Sequence, residues 1–94
     1  MKVHITAAKF GGLSIAVPTI TAYLNGSEVA WIGDGQSADI DAPAGENELD
    51  FKAGVRKTSV RFTSTGDVNV SLKWNRLSGK LQALCVGSDV KVIS

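Results

Sequence analysis

Apolar and polar residues alternate one by one through most of the chain, the two-residue period of a strand with one buried face. Val3, Ile5 and Ala7 alternate with Lys2, His4 and Thr6, and Ile20, Ala22 and Leu24 with Thr19, Thr21 and Tyr23. Asn47, Leu49 and Phe51 alternate with Glu46, Glu48, Asp50 and Lys52, and Val60 and Phe62 with Ser59, Arg61 and Thr63. The longest case sets Val68, Val70, Leu72 and Trp74 against Asn69, Ser71, Lys73 and Asn75. Val, Ile and Thr make up 22 of the 94 residues, and their branched Cβ suits pleated backbone better than helix. The expected core is Val3, Ile5, Ile20, Ala22, Leu24, Leu49, Phe51, Val60, Phe62, Val70, Leu72 and Trp74.

Turn residues punctuate these strands. After Gly11-Gly12, glycines fall at 26, 33, 35, 45, 54, 66, 79 and 87, a spacing that suggests short antiparallel strands in a sandwich or barrel. Asn25-Gly26 predicts a type I′ hairpin turn, which needs positive φ at both central residues. Gly33-Asp34-Gly35 is read as closing the next hairpin, Pro43-Ala44-Gly45 as a turn, and Ser64–Asp67 as the break between two strands. Pro18 makes 15–24 an edge strand or one that bends there. The segment 78–87 fits a short helix from Ser78 to Gly87, but Leu81, Ala83 and Cys85 also alternate, and the strand is preferred. The fold class expected is all-β: a single antiparallel β-sandwich domain spanning residues 1–94, with about seven to nine short strands.

Composition narrows the chemistry. With 44% hydrophobic and 20% charged residues the chain is globular, not disordered. No apolar run exceeds four residues, so no membrane span or signal-peptide core is read. One cysteine leaves no disulfide framework or CxxC site, and one histidine leaves no His-rich metal site. The Met1 start without a leader and the lone thiol point to the cytoplasm.

Residues 20–26 (ITAYLNG), 42–52 (APAGENELDFK) and 59–62 (SVRF) together resemble small bacterial β-sandwiches of the PEGA-like kind. Those domains run a strand into an Asp/Asn-Gly hairpin and return through a Pro-x-Gly turn into an alternating strand. The resemblance implies an immunoglobulin-like accessory module without an active site.

Candidate chemistry is sparse. Cys85 lies in the apolar run ALCV and reads as a small hydrophobe, with His4 on the solvated face of the first strand. Asp34, Asp39, Asp41 and Glu46 match no calcium-loop spacing and read as solvated carboxylates. Trp31 shares a face with Val29 and is expected in the core, whereas Tyr23 is expected outside. Charge is uneven: seven acids and no base between Asn25 and Asp50, then seven bases against Asp67 alone between Phe51 and Lys80. Neighbouring strands carrying cross-strand pairs, such as Glu48 or Asp50 with Arg61, would account for it.

The function expected is a non-enzymatic module acting through protein contacts or assembly, with no cofactor and no metal. The alternative is a carbohydrate- or small-ligand-binding sandwich. The candidate surface is Tyr23, Trp31, Arg56, Lys57 and Arg61. The expected partner is another protein or a second copy, meeting at an edge such as 90–94 or through oppositely charged faces; nucleic acid is disfavoured because the acidic stretch repels phosphate.

Overall fold

The computed structural model describes residues 1–9, 18–75 and 78–93; Gly11-Gly12, the start of the 15–24 segment, Arg76 and Ser94 lie outside them. The described residues form nine strands and no helix. The strands are β1 (Lys2–Ala7), β2 (Ile20–Leu24), β3 (Ser27–Ile32), β4 (Ser37–Asp41), β5 (Gly45–Ala53), β6 (Arg56–Ser64), β7 (Val68–Trp74), β8 (Leu81–Val86) and β9 (Lys91–Val92). They build a four-stranded sheet, β4-β1-β7-β8, and a five-stranded sheet, β3-β2-β5-β6-β9.

Alternation becomes packing because the registers align the apolar phases. Ile5 lies opposite Val70, which lies opposite Cys85; in the other sheet Ala22 lies opposite Phe51, and Leu24 opposite Leu49, itself opposite Val60. These side chains, from both sheets, form one buried cluster, with Leu24 packed half-buried against it. Of the expected core only Leu24 and Trp74 are half-buried rather than buried. The 78–87 segment contributes the strand β8.

Three expectations are corrected. The strand pairing is not purely antiparallel, because β1 pairs with β7 in parallel. All of β2–β6 lies between those strands, far more chain than the dozen or so residues a parallel connection needs. Gly33-Asp34-Gly35 closes no hairpin: β3 and β4 belong to different sheets, so this turn carries the chain across the core. The segment 15–24 supplies no edge strand: Pro18 precedes β2, and β2 is an inner strand between β3 and β5, where proline's missing N–H would break a ladder bond; the other alternative, a bend at Pro18, falls against residues outside those described.

Other turns are as read. Asn25 and Gly26 have φ of 50° and 89°, the left-handed pair of a type I′ turn. Asn47 sits inward on β5, fully buried: its Nδ2 donates to Pro43 O at 2.8 Å and its Oδ1 accepts from Asn25 Nδ2 at 2.9 Å. Asn25 Oδ1 accepts from Glu48 N at 2.8 Å, so the two turns are tied through one satisfied polar pair.

Candidate binding face of the five-stranded sheet

The outer face of this sheet is set by a β-bulge. From Leu24↔Ser27 and Tyr23↔Glu28 the ladder steps to Ala22↔Ala30, leaving Val29 as the extra residue. A two-residue hairpin continued without the bulge would bring Val29 and Trp31 inward. The one-residue shift reverses the phase, as any register slip does. Ala30 and Ile32 turn to the core instead, while Trp31 stands outside, 70% exposed, opposite Thr21. This corrects the expectation of a buried Trp31 beside Val29.

Registers then order the face in rows. Trp31, Thr21, Lys52 and Lys57 follow one another across β3, β2, β5 and β6, and Glu28, Tyr23, Asp50 and Ser59 form the next row. Lys52 Nζ lies 5.3 Å from the centre of the Tyr23 ring, a cation–π distance. Ser59 Oγ donates to Asp50, and Arg61 Nη2 meets Glu48 Oε2 at 3.2 Å on the directly opposed pair Glu48↔Arg61. Between the rows runs an open groove of about 570 Å³ lined by Tyr23, Asp50, Lys52, Lys57 and Ser59 among others.

Four of the five residues expected to form a binding surface therefore share this face: Tyr23, Trp31, Lys57 and Arg61. Arg56 does not. It pairs with buried Ala53 on the opposite phase and reaches past the sheet edge, 3.3 Å from where a Cβ on Gly79 would lie.

The other candidates disperse. Asp39 and Asp41 lie on the solvated side of β4, where His4 hydrogen-bonds Asp39 and Lys2 stands 4.0 Å from Asp41; Glu46 belongs to the other sheet. Among the described residues no three His, Cys, Asp or Glu side chains gather as a metal site would require. Cys85 faces the core and His4 the solvent, so they do not meet. Burial pushes the Cys85 thiol up to about 11, which keeps it protonated. Asp89 was not singled out from the sequence. Its carboxylate accepts from Ser64 Oγ at 2.7 Å, Thr65 N at 3.0 Å and the Thr65 hydroxyl, and these donors hold it well below the usual carboxylate range. It clasps the β6–β7 turn to the β8–β9 loop.

The uneven charge acquires a direction. β5 runs from Glu46 and Glu48 to Lys52, and antiparallel β6 brings Arg56 and Lys57 back to that same end. Lys80 lies beside them. Asp41, Glu46, Asp67 and Asp89 lie at the other end of a body 40 × 22 × 19 Å. The cross-strand pair Glu48–Arg61 exists, but most of the separation is along the long axis.

No helix among the described residues is long and apolar enough to cross a membrane. Compared with protein-family models, with curated proteins and with solved structures, the chain gives no match.

Proposed function

We propose that the chain is a non-enzymatic β-sandwich module, immunoglobulin-like in build, that binds another protein through the outer face of its five-stranded sheet. The observation that carries this reading is Trp31, a large aromatic left 70% exposed on the row next to Tyr23. Tryptophan, tyrosine and arginine dominate the energetic centres of protein interfaces, and the two aromatics bury much area for few frozen torsions. Arg61 and Lys57 add polar contacts on the same face. Nine strands in two sheets, with turns that cross between the sheets, support the immunoglobulin-like build. The PEGA-like pattern over residues 20–62 supports a bacterial accessory module, and we place it in the cytoplasm, where a lone reduced thiol is ordinary.

Cross-linking in cells, compared between the native chain and Trp31→Ala, tests the reading. A protein joined to the native chain and lost from a variant of unchanged melting temperature supports it. The same captured proteins with Trp31→Ala and with Tyr23→Ala would remove this face as the contact.

The groove beside Tyr23 favours a second reading, a carbohydrate or other small polar ligand stacked on the aromatic rings. A panel of glycans titrated against tryptophan emission, in a Trp74→Phe background, separates the two. A saturable shift supports ligand binding, and an unchanged spectrum removes it.

A further inference from the structure

We propose that the end of the molecule formed by the β5–β6 turn docks on an anionic lipid surface. This goes beyond the protein-contact reading: it shares Lys52 and Lys57 with that face and adds Val55, Arg56 and Lys80 at the end of the molecule. At the apex of the turn stands Val55, 97% exposed, following Gly54 with its φ of 60°. Its side chain contributes almost nothing to the core, so the fold does not require an apolar residue there. Immediately behind it the ladder sets Lys52 directly opposite Lys57. Like charges in that position repel and cost stability, unless an anion lies against both. Arg56 and Lys80 line the same corner as Val55 and Lys57. Among the described residues none of these four cations is held in an ion pair. The carboxylates toward this end are Asp34, in the β3–β4 turn, Asp50, which accepts the Ser59 hydroxyl, and Glu28, in the same row as Asp50.

An apolar apex projecting beyond a ring of cations fits a surface that is both negatively charged and penetrable. The headgroup region of an anionic bilayer is such a surface: basic residues gain from its potential and an apolar tip gains from entering it. A soluble polyanion offers the charge but no apolar volume for Val55. At the far end of the 40 Å axis the carboxylates of Asp41, Glu46, Asp67 and Asp89 lie beside Lys2 and Lys91, so that end has no unbalanced cluster of cations and the turn end is the one that meets the surface.

The test is co-sedimentation of the full chain with vesicles of equal parts phosphatidylserine and phosphatidylcholine, beside vesicles of phosphatidylcholine alone. Binding to the anionic vesicles only, weakened by salt, is expected. Arg56→Gln and Lys57→Gln should each lower the affinity about fivefold, and Val55→Ser by about fivefold as well. Since these side chains are exposed, all three variants should melt with the native chain, and melting curves check it. Failure to bind anionic vesicles overturns the proposal. So does Val55→Ser binding as well as the native chain, or heparin bound while vesicles are not, which would make the partner a soluble polyanion. Self-association in low salt that the charge variants abolish, without vesicle binding, would assign this end to the acidic end of a second copy. Trp31→Ala enters none of these outcomes, so failure here leaves the protein-contact reading standing.

Discussion

The two hairpins of the five-stranded sheet begin alike and end differently. Both close on two-residue turns, Asn25-Gly26 and Gly54-Val55. β5 and β6 then pair without interruption from Ala53↔Arg56 to Gly45↔Ser64, whereas β2 and β3 slip by one residue after two pairs. In the first hairpin the apolar phases of both strands agree: Leu49 meets Val60 and Asn47 meets Phe62, all inward. In the second, an unbroken register would set Val29 opposite Ala22 and Trp31 opposite Ile20, both inward, so the core would have to take a valine and a tryptophan in place of Ala30 and Ile32. Overpacking is as costly as a cavity. The bulge substitutes Ala30 and Ile32, which fit, and turns the large ring outward. A turn therefore starts a register, and the volume available beneath the strands decides whether it continues.

Breaking the regular hairpin should have the largest effect. Phe62→Ala removes a fully buried ring from β6 and should cost about 3–5 kcal/mol in chemical denaturation, because the surrounding sheet cannot close over the cavity. The link between the hairpins comes next. Asn47→Leu leaves the Pro43 carbonyl and the Asn25 amide without their partner, and should cost about 1–3 kcal/mol on the same measurement. Gly26→Val strikes the start of the bulged hairpin. No atom lies within 4 Å of the added Cβ, so the expected loss of about 1–2 kcal/mol is purely the backbone cost of a branched residue at φ 89°.

A smaller effect is expected where β6 leaves its regular ladder and Asp89 holds the turn. Its folded pKa lies below the unfolded value of about 4, so the charged form favours the native state. That stabilisation is complete at neutral pH and declines as pH falls below the ordinary carboxylate range. Protection of the Thr65 and Gly66 amides, taken relative to their intrinsic exchange rates, should fall over that acid window, and Asp89→Asn should remove the dependence. Deleting Val29 should change least. It removes the extra residue and leaves Ala22↔Ala30 and Thr21↔Trp31 as they are, so Trp31 stays quenchable by iodide and stability hardly moves. A deletion that unfolds the chain, or shifts the Trp31 signal, would show that the bulge is not the source of its exposure.

Local patterns carried the strands, most of the core and the Asn25-Gly26 turn, because alternation and left-handed φ are written in neighbouring residues. A cross-strand pair of Glu48 or Asp50 with Arg61 was legible in the charges, and the register decides for Glu48. Which sheet each strand joins was not: Gly33–Gly35 has hairpin composition, yet β3 and β4 separate across the core. The parallel meeting of β1 and β7 and the clasp of Asp89 on Ser64 and Thr65 join residues far apart in the chain, beyond any local signal.

The candidate face divides the same way. Tyr23, Lys57 and Arg61 lie on the polar phase of their own strands, and that much the chain determined alone. Trp31 joined them only because the bulge at Val29 put Ala30 and Ile32 inward where an unbroken register would have put Val29 and Trp31. Arg56 was taken from the face because β6 placed it one residue out of phase with Lys57. The charge imbalance was plain in the sequence, but its direction was not. Opposite charges could have met on neighbouring strands throughout; the antiparallel return of β6 instead brought Arg56 and Lys57 back to the Lys52 end of β5. Periodicity tells a residue which side of its strand it takes, and only packing in three dimensions tells the strand what lies on each side.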